Sequence, residues 1–207
     1  MQQTISLAAH KLGCQRGGRT IFRDLSFKLA PGEALLVSGP NGAGKTSLLR
    51  QIAGLLPLAG GELRLAGAGS DDALPELCHY VDHLNAVKPS LSVSENLRFW
   101  SEFLGDDGTE IGTALAAFGL APLAGLPAGL LSAGQKRRLA LARILAAPRP
   151  LWLLDEPQTS LDASSLKRLD AIISNHLATG GIAVIASHTP LKTKFVRRIT
   201  LGKARAS

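Results

Sequence analysis

The stretch Ala34-Leu35-Leu36-Val37-Ser38-Gly39-Pro40-Asn41-Gly42-Ala43-Gly44-Lys45-Thr46 decides how this chain is read. It opens on four apolar residues in a row, the pattern of a strand buried on both faces of a parallel sheet. It then enters Gly39–Thr46, which fits G-x-x-x-x-G-K-[ST], and continues into a helix-like stretch to about Ala53. Strand, glycine-rich loop and helix in that order predict a phosphate site. The glycines let consecutive backbone N–H groups converge on one anion, and the helix adds its positive N-terminal end. Lys45 is placed to reach the β- and γ-phosphates of a nucleotide, and Thr46 to offer a hydroxyl to Mg²⁺.

Outward from this stretch, two further apolar runs stand out, Leu151–Leu154 and Ile182–Ala186. The first ends in Asp155-Glu156. In phosphate-loop enzymes the first such acid holds Mg²⁺ through its water shell, while the second can orient and deprotonate an attacking water. Helical patterns fall at 93–104, 109–120, 134–146 and 164–177. Buried strands separated by helices predict an α/β fold around a parallel sheet. Looser alternation at Ile5–Ala9 and Ile21–Leu29, with Gly17-Gly18 as the turn between them, predicts an N-terminal antiparallel sheet, and Gly60–Ser70 reads as a hairpin plus loop. No internal repeat or low-complexity linker interrupts the chain. The expectation is one domain over 1–207, a phosphate-loop core with an inserted helical lobe over about 75–147.

Composition excludes several classes. With 45% hydrophobic and 19% charged residues, the chain is globular rather than disordered; aromatics at 4% leave Leu, Ala, Ile and Val to build the core. No apolar run reaches the roughly 18 residues of a membrane span, and Met1–Thr4 does not open a secretory signal, so a cytosolic location is expected. Two cysteines, Cys14 and Cys78, are too few for a disulfide framework. The net charge of +7 is compatible with nucleic acid, an anionic membrane surface, a phosphate-rich ligand or simply a basic surface. The stretch Lys192–Arg205 holds six cations and no acid, and reads equally as a lipid-facing segment or as a solvated tail.

Leu131-Ser132-Ala133-Gly134-Gln135 opens a helix rich in basic residues, Lys136, Arg137 and Arg138. Alone it is a helix cap. A second anion site becomes necessary only if it serves a nucleotide held by another copy. Phosphate loop, LSAGQ, LLDEP, Ser160-Leu161-Asp162 and Ser187-His188, in this order, resemble the ATP-binding subunits of ABC transporters over essentially the whole chain. The resemblance implies ATP and Mg²⁺ as cofactors and a homodimer with two nucleotides sandwiched between copies. It also implies attachment to integral membrane subunits at the cytoplasmic face of the inner membrane. Carried over by motif, Gly39, Pro40, Asn41, Gly42, Ala43, Gly44, Lys45, Thr46 and Ser47 bind the nucleotide of their own copy. Ser132, Gly134 and Gln135 contact ATP across the interface, and Asp162 lies in the loop that crosses it. Asp155 and Thr46 serve Mg²⁺, partly through water; Glu156, His188 and Lys45 are the catalytic set, with His188 holding the γ-phosphate and the attacking water.

Arg19–Phe27, Gly44–Arg50, Glu95–Trp100 and the brief C-terminus are similar to one branch of that family, the haem-exporter ATPases of cytochrome c maturation. That branch has Arg where most relatives stack a Tyr on adenine, and Arg16 stands at that place, either as a stacking guanidinium or as a solvated loop cation. The implied cargo is haem or a haem-loaded periplasmic chaperone, with no nucleic acid as partner. One departure is clear: the Gln that usually links the active site to the membrane subunit is missing between His79 and Glu95. His83, able to hydrogen-bond a water, is a better substitute than Leu84. Cys78 and His79 are read as buried structure rather than haem ligands. The alternatives are an exporter ATPase for another small substrate, or a soluble ABC-type ATPase acting on nucleic acid or ribosomes. The latter type carries long coiled-coil insertions or paired ATPase units, which this chain lacks.

Overall fold

The computed structural model describes residues 5–67, 74–106, 108, 110–188, 191–193 and 197–202. Lys194, Lys203 and Arg205 of the basic C-terminal stretch, like Met1–Thr4, lie outside the described residues. Two sheets organise the chain. The first is antiparallel, in the order β2 (Arg19–Leu29), β1 (Ser6–Arg16), β4 (Gly60–Ala66). The second is parallel throughout and holds five strands, β5 (Cys78–Val81), β6 (Leu151–Asp155), β7 (Ile182–Ala186), β3 (Ala34–Ser38) and β8 (Arg197–Thr200) in that order.

The apolar runs make the central strands because each residue is buried, whichever face it points to. Period-two alternation divides each run between two cores. Trp152 and Leu154 of β6, with Ala183 and Ile185 of β7, pack on the side of helices α2 (Val93–Phe103), α3 (Ile111–Ala117), α4 (Ala133–Ala146) and α5 (Ala163–Ala178). Leu151 and Leu153, with Ile182 and Val184, pack on the other side against α1 (Lys45–Ile52) and the antiparallel sheet. Leu48, Leu49 and Ile52 of α1, all fully buried, fill that second core together with Leu7, Leu12 and Leu29.

Three expectations change. Gly60–Ala66 is a single strand, not a hairpin: its partner is β1, about fifty positions upstream, which a local glycine count cannot reveal. Gly61 is needed there, since at φ 78° a Cβ would lie 2.3 Å from the Lys11 carbonyl oxygen. Within the stretch expected to be helical, a single 3-10 turn at Leu74–Leu77 leads into Cys78–Val81, a strand paired with β6, so the α-helices of the lobe begin only at Val93. Four residues are too few to display a period. The edge strand β8 was not foreseen, because its one apolar residue, Ile199, carries no pattern.

Helix ends follow local chemistry. Ser92 caps α2, accepting the Glu95 N–H at 3.2 Å while Glu95 Oε2 accepts the Ser92 N–H at 2.7 Å. Asn96, 3% exposed, donates through its amide to the carbonyls of Lys88, Leu91 and Ser92 and accepts the Lys88 N–H. It thereby ties the connection from β5 onto the helical lobe.

Two buried histidines make the fold sensitive to acid. His176 of α5 stacks on Trp152 with ring centroids 3.7 Å apart and planes 5° from parallel, and burial lowers its pKa to about 4. Burial lowers that of His79 to about 3. Both rings are neutral in the fold, whereas in the unfolded chain they take up protons below about pH 6.5. The unfolded state therefore binds more protons between about pH 6.5 and the folded values, and stability falls as pH drops through that window. His176→Phe keeps the stack and removes one such titration. Urea unfolding from pH 7 to 4.5 should show the variant's stability falling less steeply, by about 1.4 kcal/mol per pH unit at the acid end; parallel curves would refute the account.

Candidate functional site

The C-terminal ends of β3, β6 and β7 meet at one edge of the parallel sheet, and the loops leaving them carry the chemistry. After β3 the chain closes the loop Gly39–Gly44 and enters α1 at Lys45. Gly44, the residue capping that helix, has φ 102°, and a Cβ on it would lie 2.5 Å from Ile21 Cγ2 and 3.1 Å from Phe22 Cδ1. The loop is thus pressed against β2, and only glycine fits. Lys45 is 7% exposed; its ammonium donates to the carbonyls of Gly39 at 2.9 Å and Pro40 at 3.3 Å. This folds the cation back over its own loop.

Asp155 ends β6 and is 1% exposed. Thr46 Oγ1 donates to its Oδ2 at 2.6 Å. Burial raises the Asp155 pKa, and the Thr46 hydrogen bond opposes that rise. Glu156 follows with φ 46°, a left-handed conformation rare for a side chain with a Cβ. That turn takes its carboxylate out of the strand direction: Oε1 lies 2.9 Å from His188 Nδ1 and 4.0 Å from Lys45 Nζ. The Gln158 amide stands 3.4 Å from Oε2 and also meets the Ser187 hydroxyl. The Glu156 N–H donates to the Ala186 carbonyl at 2.9 Å, which joins the end of β6 to the end of β7 beside His188.

Arg16, Ile21, the phosphate loop, His83, Asp155 and Glu156 line one cavity of about 570 Å³. His83 faces it, while Leu84 is 66% exposed and does not line it. His83 Nδ1 contacts Asp82 Oδ1, and Asp82 Oδ2 accepts from Arg50 Nη2 at 2.8 Å. Asp82, His83 and Asp155 bring ligand atoms within 4.8 Å of one another. Sequence reasoning passed over Asp82, Arg50, Gln158 and Arg137. Nothing in the local pattern around Asp82 marks it; the pairing of β5 with β6 is what brings it beside Asp155.

Ser132, Gly134, Gln135 and Asp162 do not line this cavity. Ser132 caps α4 in a reciprocal box with Gln135, at 3.2 Å and 2.8 Å. A Cβ on Gly134 would lie 2.7 Å from the Ser160 carbonyl oxygen, so this glycine allows α4 to rest on the loop before α5. Asp162 caps α5: Oδ1 accepts the Ser165 N–H at 2.7 Å, and that bond and its neighbours lower its pKa to about 2. Cys78 and His79 are both buried, and His79 Nε2 meets the Ala147 carbonyl.

A second surface lies on α2. Phe99, Trp100 and Phe103 form a ring cluster with centroids 5.7–6.2 Å apart, and Phe103 is 70% exposed. Lys88 Nζ sits 3.6 Å over the Phe99 ring, and the Arg143 guanidinium 4.6 Å over Trp100.

Comparison with known proteins gives concordant results. The family model described as ABC transporter matches residues 22–159. The chain is 52% identical over 198 residues to the cytochrome c biogenesis ATP-binding export protein CcmA of Nitrobacter winogradskyi, covering 96% of this chain and 98% of that protein. It is 54% identical over 198 residues, with the same coverage, to the CcmA protein of Rhodopseudomonas palustris strain BisB18. Among solved structures, an ATP-binding protein of a putative ABC transporter from Pyrococcus furiosus superposes with a TM-score of 0.82 at 24% identity, over 95% of this chain and 97% of that one.

The packing of Gly44 predicts the effect of its smallest change. Gly44→Ala must strain φ and displace Ile21, which should destabilise the fold by about 1–3 kcal/mol. Titration with a fluorescent ATP analogue should show binding weakened by more than about tenfold, because the N–H groups of the loop no longer converge. A melt and a titration that both match the parent would refute this reading of the loop.

Proposed function

Because the chain belongs to the ABC transporter family of ATP-binding proteins, we infer that it is the ATP-hydrolysing subunit of a transporter serving cytochrome c biogenesis. Its CcmA relatives, named as cytochrome c biogenesis ATP-binding export proteins, support export in that setting, and the cargo in this reading is haem or a haem-loaded chaperone. The observation that carries hydrolysis is the placement of Glu156. Its carboxylate stands 2.9 Å from His188 and 4.0 Å from Lys45, beside the cavity behind the phosphate loop. There Glu156 accepts the proton of the attacking water, His188 holds that water and the γ-phosphate, and Lys45 balances charge developing on the phosphoryl oxygens. Arg16, on the rim of the cavity, stacks its guanidinium on the base.

The oxygen pair Thr46 Oγ1 and Asp155 Oδ2, 2.6 Å apart on the wall of the cavity, is a donor set that suits a hard divalent cation. Thr46 and Asp155 would hold Mg²⁺, partly through water, and the ion would neutralise charge on the phosphates. Two copies work together. Ser132, Gly134 and Gln135 crown an exposed helix N-terminus outside their own chain's cavity, an arrangement suited to the phosphates of a nucleotide on a second copy.

The subunit acts at the cytoplasmic face of the inner membrane, attached through membrane subunits. Among the described residues no helix is long and apolar enough to cross a membrane, and the exposed ring cluster on α2 offers an apolar anchor. His83, beside Asp155 in the cavity and next to the exposed Leu84, takes the place of the missing coupling Gln.

Glu156→Gln should spare ATP binding, arrest hydrolysis and, with ATP and Mg²⁺, move the chain to the dimer position in size-exclusion chromatography. Turnover near the parental rate would remove Glu156 from its role. Two variants separate attachment from coupling. Phe103→Glu should lose copurification with the membrane subunits, while His83→Ala should copurify but lose the stimulation of ATPase activity they provide. Unchanged copurification for the first, or unchanged stimulation for the second, would refute the respective assignment.

A further inference from the structure

Arg137 lies in the second turn of α4, five residues past the Ser132 cap, and is 2% exposed. A guanidinium has five N–H donors in a fixed planar fork. Here every one is used. Nε donates to the Pro157 carbonyl at 3.2 Å. Nη1 donates to the Asp82 carbonyl at 2.7 Å and to Asn85 Oδ1 at 3.3 Å. Nη2 donates to the carbonyls of Asp155 at 2.8 Å and Glu156 at 2.9 Å.

Three of these acceptors are consecutive backbone carbonyls. In an extended strand successive carbonyls point to opposite sides, so one group cannot collect all three. They converge on Arg137 because Glu156 leaves the strand at φ 46°. For a residue with a Cβ that conformation is strained, and it persists only where the surroundings over-determine it. Arg137 supplies that determination. Among the described residues no carboxylate lies within salt-bridge distance of its side chain, so the buried charge is balanced by carbonyl dipoles rather than by an acid. Burial correspondingly lowers its pKa. The same side chain takes hold of the segment 82–85, which contains His83.

We propose that Arg137 is a positioning residue for ATP hydrolysis, clamping the backbone of Asp155–Pro157 so that the Glu156 carboxylate stays aimed at the γ-phosphate side of the cavity. The clamp also joins three parts: the helix opened by Ser132, the acid pair, and the His83 segment. The inference rests on the catalytic role given to Glu156 above, and its test separates the two.

The measurements are steady-state ATPase kinetics of the transporter assembled with its membrane subunits, binding of a fluorescent ATP analogue, and thermal melts, for Arg137→Lys, Arg137→Met and Glu156→Gln. Loss of the clamp should lower kcat about a hundredfold in Arg137→Met while KM and analogue affinity stay within about threefold. Lysine has three N–H donors, so Arg137→Lys should recover part of the loss, to about tenfold below the parent. If the Met variant fails to fold, the Lys variant with its melt decides. A purely structural residue would lower the melting temperature and leave kcat per folded molecule within about twofold; that result, in either folded variant, overturns the proposal. If Glu156→Gln is arrested and Arg137→Lys turns over like the parent, only Arg137 loses its role. If Glu156→Gln itself turns over normally, the reading of Glu156 fails first.

Discussion

A carboxylate carried to the end of a fully buried strand is the constraint from which the rest of this structure follows. Asp155 is 1% exposed, and an acid in that position is tolerable only with partners that favour its charge. Thr46 provides a hydrogen bond from the first turn of α1, which fixes how the phosphate loop sits on β6. Lys45, one residue earlier, is thereby directed over the loop and toward Glu156. The parallel ladder of β3, β7 and β6 holds these ends at one level, since Val37 pairs with Ala186 and Ala186 with Asp155.

The strain that this arrangement stores is local and well supported. The left-handed turn at Glu156 is tied on one side by its own N–H to Ala186 and on the other by its carbonyl to Arg137. It converts a strand end into a side chain that faces His188. A straight continuation would have sent the carboxylate to the opposite face. The second left-handed residue of the region, Ser160 at φ 64°, offers its carbonyl to the space that Gly134 leaves open. Both turns therefore lie where the helical lobe meets the sheet.

The histidines show how the same residue type takes different roles by position. His79 and His176 are buried and held neutral, the first against a backbone carbonyl and the second against Trp152. His83 and His188 are largely exposed at the site edge, each beside a carboxylate, Asp82 and Glu156 respectively. Sequence separates these classes only in part: an apolar run before Ser187-His188 marks a strand end, whereas Cys78-His79-Tyr80-Val81 is too short to mark anything.

Sequence alone determined the parallel core and its chemistry, because both are written in contiguous residues. The short apolar runs Ala34–Val37, Leu151–Leu154 and Ile182–Ala186, each bounded by turn or polar residues, have the pattern of strands buried on both faces, and a glycine-rich loop leading into Lys45-Thr46 suits a phosphate. Tertiary structure decided whatever depends on partners distant along the chain. The pairing of Gly60–Ala66 with β1, the strand at Cys78–Val81, and the edge strand Arg197–Thr200 take their form from neighbours already in place. The same holds for Asp82, Gln158 and Arg137. Their chemistry is ordinary in the sequence and becomes specific only when the fold brings distant groups together, as with the five acceptors from two segments around the Arg137 guanidinium, a geometry that no local pattern encodes.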